Sequence, residues 1–179
     1  YNENWAMIFN QFFDPVSSTF TYLISSGEGR EALIIDPVIE KTHEYILYLK
    51  KLDLKLVKVI DTHIHADHIS GMKELNKQTN CAKIMGDKSP SEVVNIRVKD
   101  NEKIKIESIE LTSMYTPGHT DCSYSFFMKD RIFTGDTLLI NGTGRTDFQN
   151  GNPITQYHSL FDRILKLPEE TFVYPAHDY

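Results

Sequence analysis

Thr62-His63-Ile64-His65-Ala66-Asp67-His68 follows directly on the apolar, β-branched run Leu56-Val57-Lys58-Val59-Ile60. Such a run reads as a short buried strand, so the motif stands where a strand gives way to a loop. A spacing of two puts His63 and His65 on the same side of an extended segment. Asp67 and His68 turn inward beside them if a helix begins there, and a weaker helical pattern from about Asp67 to Gln78 predicts one. Neutral imidazole and carboxylate suit Zn²⁺, Fe²⁺ and related divalent ions, whereas all-oxygen Mg²⁺ or Ca²⁺ sites need no imidazole.

Three further segments share one grammar: an apolar strand, a tight turn of small residues or proline, then a ligand-type residue. They are Met114-Tyr115-Thr116-Pro117-Gly118-His119, Ile132-Phe133-Thr134-Gly135-Asp136 and Phe172-Val173-Tyr174-Pro175-Ala176-His177. In layered α/β folds chemistry gathers where strands end and loops meet, with rigid strands holding the groups in place. Four strand ends therefore offer one site built from His63, His65, Asp67, His68, His119, Asp136 and His177. His43 and His158 fall on predicted helices away from any cluster and are read as surface or core residues.

The rest of the chain reads as mixed α and β. Thr19–Ile24 and Ala32–Ile35 form a predicted hairpin that opens the fold. Ile39, Ile46, Leu49 and Leu52 recur at helical spacing, with Lys50 and Lys51 suited to a helix C-terminus. Further strands are predicted at Ala82–Met85, Ile104–Thr112, Ser123–Met128, Arg131–Phe133 and Phe172–Tyr174, with a last helix carrying Ile154, Tyr157, Phe161 and Ile164. Periodicity alone does not choose among layered architectures.

With 179 residues, 40% hydrophobic and 25% charged, the chain reads as one globular domain over residues 1–179. A net charge of −6 supplies no global field for nucleic acid or an anionic membrane. Cys81 and Cys122 lack a C-x-x-C pairing, which argues against a disulfide scaffold or a thiolate zinc cluster and fits a reducing compartment. No run approaches a transmembrane helix, and Tyr1-Asn2-Glu3-Asn4 lacks the pattern of a signal peptide.

Taken in order, His63-x-His65-x-Asp67-His68, His119, Asp136 and His177 resemble the metallo-β-lactamase superfamily over nearly the whole chain. The resemblance implies an αββα sandwich with its metals at one edge between two sheets. Gly142-Thr143-Gly144-Arg145-Thr146-Asp147-Phe148-Gln149 and Tyr174-Pro175-Ala176-His177-Asp178-Tyr179 look like the persulfide dioxygenases, as does Phe12-Phe13-Asp14-Pro15-Val16-Ser17-Ser18-Thr19-Phe20-Thr21-Tyr22. Relatives of that type normally continue beyond the last histidine, so the C-terminus at Tyr179 is expected to be a truncation.

The resemblance implies one Fe²⁺ per chain on His63, His119 and Asp136, with His65 as a further ligand in a fuller site. Asp67, His68 and His177 would then lie just outside it or hold a second metal, with Zn²⁺ as substitute. Arg145 is expected to position an anionic substrate or to pair internally with Asp147. The implied reaction oxidises glutathione persulfide with O₂ and water to glutathione and sulfite, in a bacterial cytoplasm or a mitochondrial matrix, with an oligomer compatible. Two alternatives stand beside it: a dimetal glutathione thioester hydrolase of the glyoxalase II type, and a catalytically weak fragment of a larger sulfur-metabolism protein.

Overall fold

The computed structural model describes residues 7–179; Tyr1–Ala6, and with them the Tyr1–Asn4 segment read for a leader, lie outside the described residues. Two sheets face each other. The first has six strands in spatial order: β1 (Ile8–Asp14), β2 (Thr19–Ser25), β3 (Glu31–Ile35), β4 (Lys55–Ile60), β5 (Ala82–Gly86) and β6 (Ile96–Val98). The second runs β11 (Phe172–Pro175), β10 (Arg131–Gly135), β9 (Tyr124–Phe127), β8 (Ile109–Tyr115) and β7 (Lys103–Ile106).

Strict alternation along β3 explains the layering. Leu33 and Ile35 face the second sheet, in a core with Tyr22, Ile60, Phe126 and Phe133. Ala32 and Ile34 face the other way, onto Tyr45 and Leu49 of α1 (Thr42–Lys51) and Leu75 of α2 (Met72–Thr79). A strand buried on both faces reads as a continuous apolar run, and each such Leu or Ile contributes about 1.5–3 kcal/mol. Outside the second sheet, Ile164 packs on Met114 and Ile132. It ends the segment that begins with α3 (Pro153–His158), where Asn152 Oδ1 caps the N–H groups of Ile154 and Thr155. The result is the expected αββα sandwich.

Several local expectations need correcting. The hairpin does not open the fold, because β1 pairs antiparallel with β2 ahead of it; its paired aromatic residues face both cores and blur the alternation. The predicted strand Ile104–Thr112 is two strands, folded back at Glu107, which has a left-handed φ of +51°. The helix expected from Asp67 begins only at Met72, after Gly71, so Asp67 and His68 sit on an irregular loop. The short strand β6 carried no periodic signal.

Strand polarity places the site. β3, β4 and β5 are parallel and end on one edge, where Asp36 N donates to Ile60 O at 2.8 Å. On the facing sheet β10 and β11 are also parallel and end on the same side, with Ala176 N donating to Gly135 O. Phe20 N to Ala176 O, and Asp178 N to Ser18 O, tie the end of β11 to the start of β2 across the gap. Among the described residues no helix is long and apolar enough to cross a membrane. Both cysteines are buried and free.

Candidate metal centre

All seven expected residues converge on this edge, in two adjoining groups. His63, His119 and Asp136 form one, with ligand atoms within 4.8 Å of one another. His65, Asp67, His68 and His177 form the other, within the same limit. The irregular loop after β4 thus does what the expected helix was to do. His63 and His65 remain neighbours, with ring centroids 4.1 Å apart. His43 is exposed on α1, and His158 is exposed and paired with Asp162, both away from the site.

Each imidazole is aimed by a hydrogen bond on its far side, which fixes the nitrogen left for a metal. Thr62 Oγ1 donates to Asp36 and accepts from His63 Nδ1 at 2.9 Å, leaving His63 Nε2 facing Asp136 Oδ2 at 3.8 Å. His119 Nδ1 donates to Arg145 O at 2.8 Å, leaving Nε2 3.3 Å from the same carboxylate oxygen. His65 Nε2 donates to Asp36 Oδ1 at 3.0 Å and turns Nδ1 inward. His68 Nδ1 meets Thr19 Oγ1 at 3.3 Å. His177 Nδ1 donates to Asp136 Oδ1, so this one carboxylate touches both groups.

Glycine permits two close approaches. Gly135 has φ +55°, and a Cβ there would stand 2.7 Å from Thr62 Oγ1. Gly144 brings its loop against the site: its N–H donates to Asp136 O, and a Cβ would meet that oxygen at 2.3 Å.

The charges are arranged for a cation. Burial, with His65 beside it, holds His63 down at about 3, so its ring is neutral near pH 7. Burial pushes the Asp136 carboxyl up, but His177 and His63 outweigh it and hold it at about 2. Burial likewise opposes charge on His177, yet Asp136 and Asp67 raise it to about 9. Asp67 is pulled far below the ordinary carboxylate range, His177 outweighing its burial.

The donor set fits a divalent ion by a direct observation. His65 Nδ1, His68 Nε2 and His177 Nε2 are buried with no hydrogen-bond partner, although His177 Nε2 lies 2.6 Å from Asp67 Oδ2 out of alignment. Buried nitrogens with no partner are rare, and here His65 Nδ1 and His68 Nε2 share one group with the Asp67 carboxylate and His177. Beside His65 and His68 opens a cleft of about 560 Å³, walled by Ile64, Ile69, Met72, Met85 and Val93. Arg145 is exposed and grips Asp147 through Nε and Nη2, at 2.7 and 3.1 Å.

Two contributors had not been expected. Asp36 orients both His63 and His65, and its signal was present: Ala32–Ile35 followed by an acid repeats the strand-then-ligand grammar. The Arg145 carbonyl had no signal, because any residue carries one.

Residues 14–95 and 85–177 match the model of the metallo-beta-lactamase superfamily. The chain belongs to that superfamily. Within it, the mitochondrial persulfide dioxygenase ETHE1 of Homo sapiens is 40% identical over 176 residues, covering 97% of this chain and 69% of the relative. The crystal structure of ETHE1 from Myxococcus xanthus superposes with a TM-score of 0.93 at 44% identity, covering 96% of this chain and 76% of that one. A hydroxyacylglutathione hydrolase of Dictyostelium discoideum is 31% identical over 89% of this chain and 62% of its own length. The superfamily and branch expected from the sequence motifs are those the comparisons show.

Proposed function

We propose that this chain is an iron-dependent persulfide dioxygenase. One glutathione persulfide, one O₂ and one water become glutathione, sulfite and two protons. The observation that carries the reading is the three-donor face of buried His63 and Asp136 with partly buried His119, in a chain similar to ETHE1 over nearly its whole length. When bound there, Fe²⁺ supplies open positions for soft sulfur and O₂ together with electrons for O₂, which Zn²⁺ cannot give.

The chain's own residues do the rest. His63 and His119 present Nε2, and Asp136 presents Oδ2, each held by a partner on its far side. The His177 and Asp67 pair holds a proton at Nε2, on the side of the second group. Arg145 pairs with Asp147 through Nε and Nη2, and Nη1 makes no contact with that carboxylate and is free for an anionic substrate. The cleft beside His65 and His68 opens on the side of the second group. The compartment consistent with this reading is a mitochondrial matrix or a bacterial cytoplasm.

The second group favours one other reading. Its orphan nitrogens suit a second ion, and two metals would make the thioester hydrolase, in which hydroxide attacks and the metals stabilise the oxyanion. Metal content after anaerobic purification, with O₂ uptake on glutathione persulfide, separates the two. One iron with O₂ uptake is expected; two zinc ions with rapid thioester hydrolysis and no O₂ uptake would overturn it. Alanine at His63, His119 or Asp136 is expected to abolish iron retention, while His177→Ala keeps much of it.

A further inference from the structure

Residues 148–151 form a tight turn in which Gly151 N donates to Phe148 O at 2.9 Å. Its central residues both have left-handed backbone, Gln149 at φ +49° and Asn150 at φ +61°. That is a type I′ turn, whose central positions favour Asn, Asp and Gly. Asn150 follows the preference and Gln149 does not. Such local conflict concentrates where the side chain has another task.

The structure supplies that task. Gln149 Nε2 donates to Ile64 O at 3.2 Å, joining segments 85 residues apart. Ile64 lies between His63 and His65, and its carbonyl belongs to the peptide leading into His65. Holding that carbonyl fixes the rotation of the peptide plane, and so the direction in which His65 leaves the chain. The same loop reaches the site a second time, through the Arg145 carbonyl on His119 Nδ1. Residues 144–149 therefore brace the imidazoles from two directions.

We propose that Gln149 is a positioning residue of the metal centre, spanning from its turn to the peptide between His63 and His65 and setting the angle between those two imidazoles. It touches no reacting atom and acts through Ile64. The proposal rests on the reading of these histidines as a metal site.

Gln149→Asn and Gln149→Gly test it. Both residues suit the turn better than Gln, and neither reaches Ile64 O. A residue serving only the turn would leave metal binding unchanged or improve it. The parent and both variants are loaded with Co²⁺ and compared by visible d–d absorption, by chelator competition, and by thermal melting of the metal-free proteins.

The expected result is melting at or above the parent temperature, a displaced d–d band and Co²⁺ affinity about tenfold weaker, the scale of losing an outer-sphere partner. Unchanged band and affinity in both variants would overturn the proposal. So would a fall in melting temperature in both that tracks the metal loss, since the side chain would then serve the loop's own folding. A parent that binds neither Co²⁺ nor Fe²⁺ overturns the metal-site reading and this proposal with it; a parent that binds, with variants that bind equally, overturns this proposal alone.

Discussion

Replacing Asp36 by alanine removes the acceptor for three buried donors: Thr62 N at 2.8 Å, Thr62 Oγ1 at 3.0 Å and His65 Nε2 at 3.0 Å. A hydrogen bond to a charged group is worth about 1.5–3 kcal/mol, but these share one carboxylate and their losses overlap. Breaking a buried charged pair by removing one member costs about 3–5 kcal/mol, and that is the expected loss here. Against a typical total of about 5–15 kcal/mol, urea unfolding of the metal-free protein at pH 7 resolves it easily.

Asn in place of Asp36 separates stability from site geometry. Its amide oxygen still accepts from Thr62 N, so about 1–2 kcal/mol is expected instead. Thr62 N and His65 Nε2 donate to the same oxygen, Oδ1, so the amide oxygen there keeps both, and the amide N–H₂ takes the place of Oδ2, facing Thr62 Oγ1. Thr62 Oγ1 loses its carboxylate acceptor at that place, and it is the group that holds His63 Nδ1. Asp36→Asn should therefore fold yet lose metal affinity at the His63 group in a chelator titration.

The pH dependence has a definite sign. Burial pushes the Asp36 carboxyl up, but His65 and the Thr62 N–H outweigh it and hold it below its ordinary value. Its stabilisation is thus present above the unfolded value of about 3.9 and is lost as pH falls through the depressed folded value. The gap between parent and alanine variant should narrow in acid. A cost under about 1 kcal/mol at pH 7 for Asp36→Ala would refute the assigned hydrogen-bond energetics.

Asp61 is the opposite case: burial, with Asp36 beyond it, raises its carboxyl to about 7, and Oδ1 has no partner. Stability from this neutral acid is full below about 3.9 and lost as pH rises through about 7, so Asp61→Asn should be more stable than the parent at pH 8, by about 1–4 kcal/mol, and equal to it below pH 4. Urea curves of metal-free protein at pH 4, 6 and 8 check this, and parallel curves at every pH count against it. Gly144→Ala places a Cβ 2.3 Å from Asp136 O and 2.7 Å from His119 Nδ1, so metal affinity at the first group should drop at least about tenfold, read by chelator competition. His177 keeps its extra proton up to about pH 9, whereas His63 is already neutral. Metal entering the second group at pH 7.5 should then release protons into weak buffer, and metal bound only by the first group should release none from these two residues.

Strand ends and ligand-type residues were legible because both are local. A β-branched run, a small-residue turn and then His or Asp is a pattern within a dozen residues, and it located all seven residues of the two groups. The Asp67 helix was misplaced because Ser70 and Gly71 delay it to Met72, while tertiary hydrogen bonds such as that between Thr19 and His68 hold the loop instead. Strand β1 was hidden by aromatic residues packed on both faces, which leave no clean period of two.

What the sequence by itself determined is the inventory: which side chains can bind a metal, that they follow strands, and which superfamily shares their order. What only the tertiary structure decided is which partner holds each of these side chains, and with it the nitrogen each imidazole offers. Those depend on contacts between residues far apart in the chain, Asp36 with His65, Arg145 with His119 and Asp136 with His177. A hydrogen bond acts over about 3 Å in space whatever the separation along the backbone, so no local pattern records it.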